Sequence, residues 1–270
     1  MPVNSNPRRA KFVACAHALA DRAAAATLPH FRVQIVVDNK DGDGGFDPVT
    51  IADRAAEEAI AAHLSSLFPE HGLEGEEFGT TRPDARYRWV VDPIDGTRAF
   101  ITGSPMWGTL IGLLDGADPI VGLMDQPYTG ERFWSDGERS FTSRNNSAAQ
   151  SIRTRICPDL ASAVLMTTDP LLFKPGSERI AFENLRSKVR LTRYGGDCYA
   201  YALLASGFVD VIVESGLKPY DIVALIPIVE AAGGRLTEWT GGSAAKGGRI
   251  VATGDPRLHD QILAELNRTI

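Results

Sequence analysis

The sequence predicts an α+β fold in which an antiparallel sheet precedes an alternating α/β half. Three observations predict it. Two apolar runs, Trp107 to Leu114 and Ile120 to Met124, flank Asp115-Gly116-Ala117-Asp118-Pro119 and read as antiparallel strands joined by a turn. From Ala163 onward strand and helix signals alternate, as in a three-layer α/β unit. Between the termini, the apolar run Tyr87 to Val91 stops at Asp92-Pro93-Ile94-Asp95-Gly96-Thr97, a strand that runs into a turn and a short helix. A chain of 270 residues accommodates one large domain or two intimate halves.

The elements follow in order. Pro7 to about Thr27 reads as an amphipathic helix, with Phe12, Cys15/Ala16, Leu19 and Ala23 at helical spacing and Pro7 suited to its start. Arg8-Arg9-Ala10-Lys11 ahead of this segment imitates the layout of a secretory signal, but His17 interrupts the weak apolar stretch. Phe31 to Val37 reads as a strand. Asp38 to Asp47 is a Gly/Asp-rich loop that fails the calcium-loop pattern, because Gly45 and Ala52 fall where ligands are needed; a surface hairpin is expected. Thr50 to Phe68 reads as a helix capped by Thr50 with Asp53, showing Ile51, Ala55, Ile60, Leu64 and Leu67 on one face and stopped by Pro69. Arg132 to Ser135 adds a third strand to the central pair.

Composition shifts to Ser, Thr, Asn and Arg between Ser140 and Gln150. The division is placed there, giving halves of residues 1–142 and 143–270. The second half reads as strand Ala163 to Thr167, helix Ser177 to Arg186, strand Val189 to Arg193 and helix Tyr199 to Ser206. Strand Val209 to Glu214, helix Ile222 to Ala232, strand Gly248 to Ala252 and helix Pro256 to Asn267 complete it.

Hydrophobic residues at 44% and charged residues at 23% describe an ordinary globular protein. A net charge of -6 excludes general nucleic-acid binding, which wants a basic face. No run approaches a membrane span. Cys15, Cys157 and Cys198 are odd in number and far apart, so neither a disulfide framework nor a zinc site is supported, and a reducing cytoplasm is expected.

The chemistry concentrates at Asp92-Pro93-Ile94-Asp95-Gly96-Thr97. Pro93 cannot donate a ladder hydrogen bond and is expected to end the strand between the two acids. Two carboxylates aimed into one volume repel unless a cation sits between them. Hard oxygen ligands suit magnesium, while the helix start at Gly96 and Thr97 suits an anion. The plainer reading of these residues alone is a surface turn.

They are not alone. Gly75-Glu76-Glu77 stands upstream, and Tyr220-Asp221 opens an apolar helix closing on Ala231-Ala232-Gly233-Gly234. Those pieces, with Pro48-Val49-Thr50-Ile51-Ala52-Asp53, resemble the inositol monophosphatase family of magnesium-dependent, lithium-sensitive phosphatases. The resemblance implies a layered αβαβα sandwich, a homodimer and two to three Mg2+ ions. It implies that Glu76, Asp92 and the Ile94 carbonyl hold one ion, and that Asp92, Asp95 and Asp221 hold a second. Glu76 would also assist a third. It further implies that Thr97, hydrogen-bonded to Asp53, orients the attacking water, with Gly96 and Thr97 cradling the phosphate. Plainer roles stand beside these: a solvated loop acid for Glu76, a helix cap for Asp221, and capping-box service for Asp53.

The same resemblance implies that the residues around Gly195-Gly196-Asp197-Cys198 and Glu214 face the leaving alcohol. Two acids, Asp197 and Glu214, suit a cationic tail better than a neutral polyol, since charge-assisted hydrogen bonds are about twice as strong as neutral ones. Arg193 to Tyr199, Gly216 to Ile222 and Ile226 to Glu230 resemble the histidinol-phosphatase branch. Tyr220 replaces the family's usual Trp, and Glu131 to Asn145 lacks its usual Gly-rich hairpin. The expected substrate is L-histidinol phosphate, bound through Gly196, Asp197 and Glu214. The rivals are inositol 1-phosphate, fructose 1,6-bisphosphate, a 3′-phosphonucleotide, or a non-catalytic regulatory protein on the same fold.

Overall fold

Residues 7–39 and 48–268 are described by a computed structural model. The chain opens with α1 (Pro7–Thr27), a short paired ribbon β1 (Val37–Asn39) and β2 (Pro48–Thr50), and α2 (Ile51–Leu67). An eight-stranded sheet follows: β3 (Gly72–Gly75), β4 (Gly79–Thr81), β5 (Tyr87–Asp95), then the five-residue helix α3 (Thr97–Ile101), β6 (Gly108–Asp115), β7 (Asp118–Gln126), β8 (Glu131–Ser135), β9 (Ser140–Arg144) and β10 (Gln150–Ile152). Its order is β10-β9-β8-β7-β6-β5-β3-β4, antiparallel throughout except for β3 beside β5.

The second half comprises β11 (Val164–Thr167), α4 (Ser177–Arg186), β12 (Leu191–Tyr194), α5 (Asp197–Ala205), β13 (Val211–Leu217), α6 (Pro219–Ile222), α7 (Leu225–Ala231), β14 (Arg235–Glu238), β15 (Gly248–Thr253) and α8 (Pro256–Leu266). Its five strands are ordered β12-β11-β13-β15-β14. No helix among the described residues is long and apolar enough to cross a membrane.

Three packed cores make five layers. Phe12, Leu19, Ile60 and Leu64 of α1 and α2 cover the outer face of the first sheet at Trp89, Val91, Ile111 and Leu123. Helices α5 to α7 fill the space between the sheets, where Tyr201, Ile222 and Ile228 meet Leu110 and Met124 on one side and Ile212 and Ala252 on the other. Phe182, Leu185, Leu258 and Ile262 of α4 and α8 cover the far face of the second sheet. The result is the αβαβα sandwich.

Several local expectations change. Phe31 to Val37 is not a strand: the chain makes a short 3-10 turn at Leu28–His30, Arg32 takes a left-handed φ of 60°, and only Val37 enters β1. Phe31 is buried against Phe100 and Trp107 while Val36 is 80% exposed, so no sheet receives the segment's other face. The buried face of α2 is Ala52, Asp53, Ala56, Glu57, Ile60 and Leu64, whereas Ile51 is 60% exposed. The helix thus turns two acids inward. Ile222 to Ala232 is two helices, because Pro227 has no N–H for the Val223 carbonyl and its ring crowds that group. The first sheet continues through β9 and β10 to Ile152, so the compositional shift at Ser140 to Gln150 marks edge strands. Glu131 to Arg144 forms a hairpin, with β8 and β9 paired around residues 136–139. Residues 40–47 of the expected Asp38 to Asp47 loop lie outside the described residues.

Candidate active site

The first two acids are placed by a defect in β5. In a regular strand, positions three apart point to opposite faces. Asp92 pairs with Leu110 and Asp95 with Gly108, so Pro93 and Ile94 stand opposite the single residue Thr109. This bulge restores the phase and brings both carboxylates to the inner face. Pro93 therefore does not end the strand as expected; it occupies the bulge, where its missing N–H costs nothing, and its carbonyl accepts from the Thr109 hydroxyl at 2.8 Å.

The third acid arrives from the other half through two glycines. Gly112 and Gly122 are paired across β6 and β7, and the α6–α7 junction lies directly on them. A Cβ on Gly122 would stand 2.0 Å from the Ala224 carbonyl oxygen, and one on Gly112 would stand 2.7 Å from a Val223 methyl. That close approach delivers Asp221. Carboxylate oxygens of Asp92, Asp95 and Asp221 lie within 4.8 Å of one another. Asp92 also accepts the Ile94 N–H at 3.0 Å, Asp95 the Cys198 N–H at 2.7 Å, and Asp221 the Lys218 N–H at 2.6 Å. Asp221 thus does serve its helix start, and it faces the other two acids as well.

Glu76 sits on the turn between β3 and β4, outside that trio, but close enough that its charge acts on Asp92. The turn is held by a residue that motif reading passed over. Glu57 of α2, buried, accepts the N–H groups of Glu77 at 2.8 Å and Phe78 at 3.0 Å. Gly75 makes room for it, since a Cβ there would overlap Glu57 Oε1 at 1.9 Å. The available signal was an acid four residues after Asp53 on the buried helix face. Glu57→Ala is expected to weaken divalent-cation affinity about tenfold, as losing an orienting partner does. Calorimetric titration checks it, and an unchanged affinity would remove Glu57 from the account.

Asp53 and Thr97 are not joined as the resemblance implied. Asp53 Oδ2 accepts from the Thr50 N–H at 2.9 Å and the Thr50 hydroxyl at 2.6 Å, completing the capping box of α2. Its Oδ1 is buried with no partner among the described residues. The Thr97 hydroxyl donates to the Ile94 carbonyl at 3.1 Å. Helix capping won this competition because Thr50 offers Asp53 two donors at once. Gly96 caps α3 with φ of 87°, and a Cβ there would meet the Met106 carbonyl at 2.9 Å and Asp197 Cγ at 3.1 Å.

A cleft of about 260 Å³ lies at these groups; Asp95, Gly96, Thr97 and Asp221 line it together with Thr168, Asp197, Tyr201 and Glu214. Asp197 is the first residue of α5, with φ of 41°, and Gly196 stands at the cap position before it. Gly196 is buried behind this lining, where a Cβ would lie 2.7 Å from Met166 Cε; its part is close packing. Glu214 is 1% exposed, and its Oε1 accepts from the Thr168 N–H at 2.8 Å and hydroxyl at 3.1 Å. Arg98, Thr168 and Tyr201 were not anticipated. Arg98 follows the motif directly, and its charge opposes the burial of Asp197.

Burial, then the charges of Glu76, Asp95, Asp221 and Asp53, push the Asp92 carboxyl well up; burial, then Asp221 and Asp197, do the same to Asp95. Burial raises Asp53 and Asp197 to about 6, and Glu214 to about 8. A set of hard oxygen donors that disfavour one another's ionised form fits a divalent cation. A consequence is testable without substrate. His17 and His259 are lowered to about 4 by burial, and unfolded histidine titrates near 6.5, so these two oppose the acids only below that pH. From pH 6.5 to 8, the folded state holds protons on raised carboxyls that the unfolded chain has released. Stability must then fall as pH rises. Melting temperature in a chelator is expected to drop across that window and to drop less in Mg2+; equal slopes would contradict the clustering.

This fold and this site define a phosphoric monoester hydrolase of the kind that gathers acids around metal ions. A model of the inositol monophosphatase family matches residues 8–270, and the chain belongs to that family. It is 45% identical over 267 residues to the chloroplastic bifunctional phosphatase IMPL2 of Arabidopsis thaliana, covering 95% of this chain and 75% of that one. It is 36% identical over 259 residues to a histidinol-phosphatase of Streptomyces coelicolor, covering 94% and 96%. Among solved structures it matches an inositol monophosphatase from Zymomonas mobilis with a TM-score of 0.84 and 42% identity, covering 95% and 97%.

Proposed function

We propose that the chain hydrolyses L-histidinol phosphate to L-histidinol and phosphate with Mg2+. The observation that carries this reading is a second pair of acids, half-buried Asp197 and buried Glu214, lining the same cleft as Asp95 and Asp221. A substrate with a cationic tail places its charge against these acids and its phosphate against the Asp92–Asp95–Asp221 cluster. Histidinol-phosphatases of three bacteria, 36–37% identical to this chain, support the same reading.

Asp92, Asp95 and Asp221, with Glu76 and the Ile94 carbonyl, would hold two to three cations. When bound there, these supply charge neutralisation for the phosphoryl group and acidify the attacking water. The chain's own part is positional. The β5 bulge fixes Asp92 and Asp95, while Gly96 and the Thr97 N–H offer the phosphate oxygens a backbone cradle. The Oδ1 of Asp53, without a partner among the described residues, and the Thr97 hydroxyl are the groups that would hold the attacking water's protons.

The second reading is inositol 1-phosphate, favoured by the likeness to the Zymomonas mobilis structure. Rates on histidinol phosphate, inositol 1-phosphate, fructose 1,6-bisphosphate and a 3′,5′-bisphosphonucleotide, with and without Mg2+, separate the readings. The proposal expects Mg2+-dependent phosphate release, fastest on histidinol phosphate. Preference for inositol 1-phosphate would replace it, and no Mg2+-dependent release from any would leave a non-catalytic protein.

A further inference from the structure

Asp95 belongs to β5, but the N–H it accepts at 2.7 Å is that of Cys198, in the first turn of α5 between the sheets. Where that carboxylate points therefore depends on where α5 sits. Two contacts fix the helix start on the first sheet. Gly108, the β6 partner of Asp95, lies under Cys198, and a Cβ there would meet its Sγ at 3.0 Å. Beside Cys198, the Tyr199 hydroxyl donates to Oε2 of Glu131 on β8 at 2.6 Å, the length of a strong bond to a carboxylate. Glu131 is itself held. The same oxygen accepts from the Thr129 hydroxyl at 2.8 Å, and the Thr129 N–H donates to Gln126 Oε1 at 2.8 Å. Gln126 is fully buried, and its Nε2 donates to the Pro105 carbonyl at 2.9 Å. One residue on, the Met106 carbonyl lies against Gly96, the chain neighbour of Asp95. The path from Asp95 through Tyr199, Glu131 and Gln126 thus closes on the residue next to Asp95.

We infer that the Tyr199–Glu131 hydrogen bond is a clasp that positions Asp95 for a cation, acting through the Cys198 N–H. The inference rests on the Mg2+-dependent part of the proposed function and deepens it. Asp95 lies close to Asp92 and Asp221, and like charge drives it away from both. An N–H held in place pins one of its oxygens against that repulsion, and partners that orient a ligand set metal affinity. Neither Tyr199 nor Glu131 is among the residues lining the cleft, so a substrate contact does not account for them. Both are positioning residues.

The test is Tyr199→Phe, which keeps the ring and removes the hydroxyl. Its affinity for Mg2+, titrated calorimetrically into the metal-free protein, is expected to fall about fivefold, the factor for one net hydrogen bond. The rise in melting temperature from chelator to a fixed Mg2+ concentration should shrink with it, which a purely structural loss would not cause. Glu131→Gln keeps an acceptor oxygen and should bind Mg2+ within about twofold of wild type, whereas Glu131→Ala should match Tyr199→Phe. Tyr199→Phe combined with Glu131→Ala should cost no more affinity than either alone. A Tyr199→Phe protein that melts lower yet binds Mg2+ like wild type would overturn the assignment, and so would additive losses in the double variant. Should Tyr199→Phe not fold, the two Glu131 variants decide, and equal Mg2+ affinities for them would overturn it. A wild type that takes up no Mg2+ sinks the functional reading and this one together. Mg2+ uptake by wild type that is indifferent to Tyr199 and Glu131 sinks this one alone.

Discussion

Asp92→Asn is expected to lower kcat/KM by more than about 100-fold at saturating Mg2+, beyond the loss typical of residues that only orient a ligand. Asp92 is 2% exposed, sits at the strand bulge and faces both Asp95 and Asp221. Asparagine has the same shape and can still accept the Ile94 N–H, so the backbone of the turn is preserved. What disappears is one negative charge from a crowded set. In the metal-free protein that loss is favourable, because burial and four neighbouring acids raise the cost of ionising Asp92. The variant should therefore melt no lower than wild type in a chelator, while failing to gain stability from Mg2+. Steady-state kinetics beside paired melting curves check both halves, and a fully active variant would be incompatible with Asp92 as a shared ligand.

Asp197→Asn is expected to cost about 10–100-fold in kcat/KM on histidinol phosphate, the range for a charged hydrogen bond made neutral, and far less on inositol 1-phosphate. The position is left-handed, with φ of 41°, a region that Asn tolerates as well as Asp does. The substitution therefore isolates charge from backbone strain. Arg98 lies near enough to offset part of the Asp197 charge, so a bound cation competes with it. Parallel kinetics on the two phosphates decide the matter. Equal losses would mean that Asp197 holds the wall together and does not read the substrate's charge.

Much of the fold was legible because it rests on periodicity. The strand pair around Asp115 to Pro119, helix α4 and helix α8 each carry their own apolar pattern, and Pro or Gly punctuates their ends. The elements that were not legible depend on a neighbour. Strands β9, β10 and β14 are only three to five residues long, too short for their sequences to carry a strong alternation. Phe31 to Val37 is rich in β-branched residues but has no sheet to join, and tertiary context overrode propensity. The two faces of α2 are both Ala-rich, and only the Asp53 and Glu57 carboxyls, drawn toward Thr50 and the Glu77 turn, decide which goes inward.

The site divides the same way. Asp92, Asp95 and Asp221 were readable as acids beside turn and helix-start signals, in an order that matches a family. The bulge that lets the first two share a face was not, because a register shift belongs to the pairing with β6 and leaves no mark on β5 alone. Gly112 and Gly122 looked like ordinary strand glycines, yet they admit the α6–α7 junction that carries Asp221 inward. Tyr201 looked like helix core, and mostly is; it lines the cleft as well.

Asp92 and Asp95 of the first half meet Asp221 of the second within 4.8 Å, and the proposed function makes them one cation site. Calorimetric titration of the metal-free protein with Mg2+, run beside Asp92→Asn, tests it most directly. At least two ions should bind per wild-type chain, with the tightest site lost in the variant. No Mg2+ uptake by wild type, or the same isotherm for both proteins, would contradict it.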